Sequence, residues 1–257
     1  MKILEAIKLN EIIIKSKSRV QKHGEVFTPK KVVNDMLNLP GVKEASEDLL
    51  ATFLEPSAGE GAFLVAILKR KLDMVEQEYN NSLSQYENYS LLALSTIYGI
   101  ELLEDNAQNC TMNLFQIYYE KYQVQLGHHN AKSINKKVLD SAKLIIASNI
   151  AQGNFLTRRT LSEKPIIINE WSPINLSNKA KNIKIIRTEY TLDEIYKKVK
   201  KESGSMVDVT KKNVIEQLTI FDEFIDPVEE KKIVKLRYRP SKIMEIYKEE
   251  MEEIDEI

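Results

Sequence analysis

The residues best placed to do chemistry lie in the stretch FLEPSAGEGAFL, which runs from Phe53 to Leu64. A short apolar run ends on Glu55, and Gly59 and Gly61 follow before an apolar helix begins. Glycine lets the backbone turn sharply and approach a ligand closely. The same spacing also suits a plain strand-to-helix turn, so the loop alone leaves both interpretations open.

The kind of ligand follows from what surrounds the two glycines. The third glycine of the dinucleotide fingerprint is missing, which disfavours a pyrophosphate cofactor. Glu55 would also place a negative charge beside the phosphates. A carboxylate beside a glycine loop instead suits a cationic cofactor, and S-adenosylmethionine carries both a sulfonium and an α-ammonium group.

Polar side chains recur at the ends of the next two apolar runs. In YGIELL, Glu101 can accept hydrogen bonds from two ribose hydroxyls, and Leu102 can cover an adenine face. In QGNFL, Asn154 offers an amide for the adenine edge and Phe155 a ring to close the pocket. Each residue alone is equally well explained as a solvated loop position. Ligands of open parallel sheets bind beyond the carboxyl ends of the strands, so the ordered recurrence favours one cofactor pocket.

Four stretches together resemble the amino-group-specific DNA adenine methyltransferases, especially the modification subunits of restriction–modification systems. VFTPKKVVNDML is similar to the aromatic–Thr–Pro motif of that family, LEPSAGEGAFL to its glycine motif, YGIELLEDNAQ to its ribose-acid motif and GNFL to its adenine-edge motif. The resemblance covers roughly residues 24–171. It implies an S-adenosylmethionine cofactor and DNA as substrate, bound directly or through a partner subunit.

The resemblance also assigns roles to individual residues. It implies that Phe27 and Thr28 contact the methionine end of the cofactor, that Glu101 holds the ribose and that Asn154 meets the adenine amine. The residues that it assigns to the cofactor loop are Glu55, Ser57, Gly59 and Gly61.

The catalytic motif of that family is missing. The family uses an Asn, Asp or Ser followed by Pro-Pro-aromatic after the fourth strand, and no two prolines are adjacent anywhere in this chain. The expected place reads NEWSP, where Asn169 stands at the amide position and Trp171 is the candidate stacking ring. A core or interface role explains Trp171 better. Weak or absent activity of the isolated chain is therefore the prediction.

The elements that must position these residues alternate between strand and helix from about residue 50 to 175. This alternation predicts an α/β fold with a doubly wound, Rossmann-like methyltransferase sheet. We expect a helical lead over residues 1–50, the cofactor domain over 51–175 and a small extension over 176–257. In the extension, IKIIRTEYT and IVKLRYR are predicted strands, and LDEIYKKVKKE and PSKIMEIYKEEMEEI are predicted helices.

Composition excludes several classes of function. The formal net charge is −1, so nucleic-acid binding has to come from local patches, such as the eight Lys or Arg residues among the first 31. The one cysteine, Cys110, lies at helical core spacing and cannot form an intrachain disulfide. The three histidines lack partners at metal-ligand spacing, so no metal is expected. No apolar run is long enough to span a membrane, and a cytoplasmic location is expected.

A short segment near the C-terminus suggests a protein partner. Gln217, Leu218, Ile220 and Phe221 in EQLTIFDEF resemble the peptide with which bacterial DNA-processing proteins dock to the sliding clamp. Packing of the same apolar residues on the domain is the alternative.

Two functions therefore remain open. One is a methyltransferase-like protein that binds S-adenosylmethionine in a restriction–modification or mobile-element system and is weak or inactive alone. The other is an active adenine methyltransferase, completed if necessary by a partner subunit.

Overall fold

Three short helices precede the sheet in the computed structural model, which describes residues 14–174, 176, 182–207 and 235–254. Ser16 caps the first helix by accepting a hydrogen bond from the backbone of Arg19, and Gly24 ends it in the left-handed conformation. The Thr-Pro pair precedes the second helix, whose capping position is Pro29 and not Thr28. Residues 1–13 of the helical lead expected over residues 1–50 lie outside the described residues. The three helices are α1 (Lys17–His23), α2 (Lys30–Leu37) and α3 (Val42–Ser46).

The central part of the chain forms a small parallel sheet with its connecting helices. The three strands pair in the order β1-β2-β3, and both pairs are parallel. This confirms the mixed α/β class and the parallel pairing that the alternation predicts. The elements are β1 (Phe53–Glu55), α4 (Ala62–Glu78), α5 (Leu83–Leu94), β2 (Ile97–Glu101), α6 (Glu104–His128), α7 (Lys136–Asn149) and β3 (Ile150–Gln152).

The core lies between this sheet and its helices because the apolar residues fall on the faces that meet. In α4, the buried positions recur at intervals of three and four residues, as they must on one helical face. They are Leu64, Ile67, Leu68, Leu72 and Val75. Cys110 of α6 is fully buried in the same cluster, as its spacing predicts.

The chain after β3 departs from the prediction of one continuous parallel sheet. The alternation up to about residue 175 predicts that KPIIINEWS, residues 164–172, joins the parallel sheet. Its residues instead contribute to β4 (Ile167–Pro173), which pairs antiparallel with β5 (Lys184–Thr191) in a separate sheet. The reason is local. A hairpin-like turn follows β3, in which the backbone of Asn154 donates to the carbonyl of Arg159 over 2.8 Å. A parallel neighbour would need a longer crossover connection. Within the described residues the parallel sheet therefore has three strands, and a fuller doubly wound sheet stays a prediction.

The C-terminal part is short-stranded and less helical than predicted. Both predicted strands form, but PSKIMEIYKEEMEEI is not one helix. It gives a 3-10 helix, Ile243–Lys248, and then a strand, because Glu249 adopts a left-handed conformation between them. The remaining elements are α8 (Leu192–Tyr196), β6 (Lys235–Tyr238), β7 (Ser241–Lys242) and β8 (Met251–Ile254). No helix in the described part of the chain is long and apolar enough to cross a membrane.

Candidate cofactor site

The glycine loop connects the end of β1 to the start of α4 and needs both of its glycines. Gly59 and Gly61 have φ values of 54° and 87°, in the region that disfavours residues with a Cβ. A Cβ on Gly61 would lie 2.8 Å from the Sγ atom of Cys110, whereas a Cβ on Gly59 would meet only the Phe27 ring at 3.8 Å. The loop therefore has two different constraints, a conformational one at both positions and a steric one at Gly61.

Glu101 ties this loop to the end of the second strand. Its side chain is only 5% exposed. One carboxylate oxygen accepts a hydrogen bond from the backbone of Gly59 over 2.7 Å, and the other accepts from the backbone of Leu103 over 3.0 Å. Each carboxylate oxygen has a second lone pair, so the group retains the capacity to accept two ribose hydroxyls.

Glu55 and Ser57 lie at the mouth of the same loop. The backbone of Ser57 donates to the Glu55 carboxylate over 3.2 Å. Burial raises the pKa of Glu55, and the hydrogen bond from Ser57 opposes this rise. A carboxylate held partly away from water interacts more strongly with a nearby cation than an exposed one does.

The aromatic–Thr–Pro stretch lies beside the glycine loop, as its place in the predicted pocket requires. The Phe27 ring is the nearest neighbour of the position that a Gly59 side chain would take. The ammonium group of Lys15 lies 5.7 Å from the centre of that ring. The side chain of Thr28 makes no capping hydrogen bond to α2.

An ion-pair network, which we call the N-terminal clasp, fixes this segment to the site. It consists of Lys15, Arg19, Glu25, Glu60 and Asp105. Lys15 pairs with Glu60 over 2.8 Å and with Asp105 over 3.0 Å, and Arg19 pairs with Glu25 and with Asp105. Hydrogen bonds from Arg19 and then Lys15 lower the pKa of Asp105 to about 2. No motif in the sequence marks the clasp, and its only signal is the excess of basic residues at the N-terminus.

The end of β3 brings Asn154 to the neighbourhood of Glu101. The backbone of Gly153 donates to the carbonyl of Glu101 over 2.9 Å. The side-chain oxygen of Asn154 accepts from the backbones of Leu156 and Thr157, so its amide nitrogen is the group left to meet a ligand. Leu102 and Phe155 follow Glu101 and Asn154, and each exposes somewhat more than a third of its surface. Both are apolar surfaces available to a flat ring.

Asn169 and Trp171 lie on β4 and point into the protein. The amide nitrogen of Asn169 donates to the carbonyl of Ser148 over 2.6 Å, and its oxygen accepts from Arg187 over 2.7 Å. The indole nitrogen of Trp171 donates to the side chain of Asn149 over 2.8 Å. Both residues are buried, and every polar group of their side chains has a partner within the chain.

A mixed α/β protein with a glycine turn after the first parallel strand and a buried carboxylate after the second defines a candidate nucleotide-cofactor domain. The sequence model of the N-6 DNA methylase family matches residues 9–181. Since this is more than half of the 257 residues, the chain belongs to the N-6 DNA methylase family. The resemblance seen in the four motifs is thereby confirmed, and the family uses S-adenosylmethionine to methylate DNA.

Two other comparisons add no relatives. No curated protein and no solved structure matches the chain. Over the described residues, the structure has no cluster of three or more potential metal ligands. The clamp-like residues 217–221 lie outside the described residues, and their role stays a prediction.

Proposed function

We propose that the chain binds S-adenosylmethionine at the carboxyl edge of its parallel sheet and acts on DNA in a restriction–modification or mobile-element system. The observation that carries the proposal is the buried Glu101 carboxylate, which joins the glycine loop to the end of β2. A buried carboxylate is costly unless it is paired, and here two backbone N–H groups offset that cost without using its full accepting capacity.

The residues fit the chemical groups of the cofactor. Glu101 suits the ribose hydroxyls, and Leu102 and Phe155 suit the two faces of the adenine ring. The amide nitrogen of Asn154 suits a ring nitrogen of the adenine, because its oxygen is already engaged in its own turn. Glu55 suits the α-ammonium group. When bound, the cofactor supplies an electrophilic methyl group.

Methyl transfer to adenine needs more than the cofactor. The exocyclic amine is a poor nucleophile since its lone pair is delocalised into the ring, and enzymes make it reactive by accepting its protons. Asn169 is only 2% exposed, and both polar atoms of its amide are already hydrogen bonded, to Ser148 and to Arg187, so the side chain is not presented to a base. Trp171 is packed and hydrogen bonded inside the protein. We therefore propose that the isolated chain transfers methyl groups at or near the background rate.

The alternative is an active adenine methyltransferase that a partner subunit completes. The proposed pocket is built by β1, β2 and β3, and none of its residues comes from β4. Cofactor binding is thus separable from the missing acceptors, and a partner that supplies the acceptors would restore the reaction.

Calorimetry with S-adenosylmethionine tests the cofactor site. We expect saturable binding to the wild type, strong loss of binding in Glu101→Ala and Gly59→Val, and no change in the control Glu120→Gln, an exposed carboxylate on α6. A thermal shift at millimolar ligand gives an independent readout. No heat and no stabilisation of the wild type would refute the proposal.

Transfer of a tritiated methyl group to mixed genomic DNA tests whether the isolated chain is inactive as a methyltransferase. Losing one preorganised polar contact to the reacting group, such as an acceptor for the adenine amine, commonly costs ~100- to 1,000-fold in rate. We expect background incorporation beside an active adenine methyltransferase as positive control. Robust incorporation that Asn169→Ala abolishes, with an unchanged melting temperature, would make Asn169 catalytic and overturn the proposal.

A further inference from the structure

The outer edge of β1 is unpaired by any strand in the described part of the chain. The strand order β1-β2-β3 leaves β1 at one side of the sheet. Among the described residues after β3, none forms a strand on that side, because the hairpin-like turn at Asn154 leads into β4. An exposed edge presents backbone donors and acceptors to any strand that can pair with them.

The backbone of Leu54 is the group that faces this edge. The N–H of Phe53 donates to the carbonyl of Thr96, so the polar groups of Phe53 face β2. Polar groups alternate in direction along a strand, and those of Leu54 therefore point outward. The Leu54 side chain is 45% exposed, which is unusual for the first strand of a parallel sheet.

An apolar cleft of about 270 Å³ runs alongside the same edge. Helices α2 and α3 form one wall and α4 the other, with β1 at the base. Met36 and Leu39 expose about half of their surface there. The lining is apolar except for one carboxylate, and the apolar residues include Met36, Leu39, Val42, Leu54, Phe63 and Ile67. An apolar cleft beside an unpaired strand edge offers pockets for the alternate side chains of an added strand.

We propose that this edge binds a β-strand from a second polypeptide, which extends the sheet in the parallel direction and fills the cleft with apolar side chains. In the dinucleotide-binding form of the doubly wound sheet the strand order is 3-2-1-4-5-6, so a strand lies on each side of the first one. The three strands here match the 3-2-1 half, and the open edge is the position of the fourth strand.

The direction of the added strand indicates which chemical groups the partner brings to the cofactor site. A parallel neighbour of β1 ends beside Glu55, at the edge where the cofactor site lies. The partner is thus the complementary half of a methyltransferase, carrying the proton acceptors on the segment after its strand. Residues 1–13 and 208–234 contain no adjacent prolines, so they lack the expected acceptor loop. This assignment of the partner rests on the proposed function, whereas the strand-binding edge does not.

A labelled peptide tests the edge directly. The probe is a synthetic peptide of six alternating valine and threonine residues followed by Asn-Pro-Pro-Tyr, and fluorescence anisotropy follows its binding to the full chain. We expect saturable binding that is at least about tenfold weaker in Leu54→Pro, which removes the outward donor, and in Met36→Asp, which charges the cleft. Met112→Asp, an exposed methionine on α6, is the matched control and should bind as the wild type does.

Three measurements separate failure of the edge from failure of the fold or of the cofactor site. Melting temperatures of the variants must stay near that of the wild type. Calorimetry with S-adenosylmethionine should be unaffected by Met36→Asp. Hydrogen exchange at Leu54 should slow when the peptide is added, as strand pairing requires. If the chain binds the cofactor but not the peptide, only the strand-binding edge is overturned. If it binds the peptide but not the cofactor, only the proposed function is overturned.

Other occupants of the edge give different results. A dimer in sedimentation experiments that Leu54→Pro converts to monomer would show that a second copy pairs with β1. Peptide binding that appears only in Phe221→Asp would show that residues 208–234 cover the edge. Either result would overturn the assignment of the edge to a complementary methyltransferase half.

Discussion

Replacing Gly61 with alanine tests the packing under the glycine loop. With φ at 87°, alanine would cost about 1–2 kcal/mol in backbone strain alone. Its Cβ would also lie 2.8 Å from the Sγ atom of Cys110, and overpacking of this kind costs about 1–3 kcal/mol. The sum is a loss of about 2–5 kcal/mol in the free energy of unfolding.

Gly59→Ala is the matched control, because it carries the strain without the clash. Its Cβ would lie 3.8 Å from the Phe27 ring, which is an ordinary contact. We expect a loss of about 1–2 kcal/mol, the strain cost alone. Chemical denaturation of both variants measures the difference.

A double-mutant cycle with Cys110→Ala isolates the steric part of the cost. Removing the sulfur leaves the Cα atom of residue 110 at 3.5 Å from the new Cβ, which is tolerable. Gly61→Ala should therefore cost about 1–3 kcal/mol less in the Cys110→Ala background than in the wild type. Equal losses in Gly59→Ala and Gly61→Ala, with no coupling to Cys110, would refute the reasoning.

Three further predictions concern charge and docking. Burial lowers the pKa of Lys71 from 10.5 to about 8, so the unfolded chain binds more protons than the folded chain between these two pH values. The free energy of unfolding should therefore rise with pH from about 8 to 10.5. Denaturation experiments should show a rise of up to about 3 kcal/mol relative to Lys71→Met. Because burial raises the pKa of Glu55, affinity for S-adenosylmethionine should fall on acidification through that raised pKa, and calorimetry of Glu55→Gln should show weaker binding without this fall. Phe221→Ala should abolish co-purification with the sliding clamp at an unchanged melting temperature; a large drop in that temperature would show that Phe221 belongs to the core.

Local signals in the sequence predicted the elements that build the candidate site. The helical spacing of Leu64, Leu68 and Leu72 gave α4, and the apolar runs ending on Glu55 and Glu101 gave the first two strands. These patterns act within one element, so they are readable without knowledge of the partners. The same holds for the positive φ values of Gly59 and Gly61.

Long-range pairing was not readable in the same way. The apolar run before Asn169 fits a parallel strand and an antiparallel one equally well, and the turn after Asn154 decided between them. The segment after Pro240 has a helical pattern, yet its second half pairs with β6 as a strand. The contact between Lys15 and Glu60 joins distant positions, and no local pattern marks it.

The N-terminal clasp has a consequence for how fast a ligand can exchange. Its ion pairs are partly exposed, and each such pair contributes about 0–1 kcal/mol. Three of them join the segment to the glycine loop and to α6, so opening the clasp costs up to about 3 kcal/mol. Salt screens exposed charges over about 8 Å at physiological ionic strength, so the open fraction grows as salt is added. Association and dissociation rates at the glycine loop should therefore increase together with ionic strength, while the equilibrium affinity changes much less.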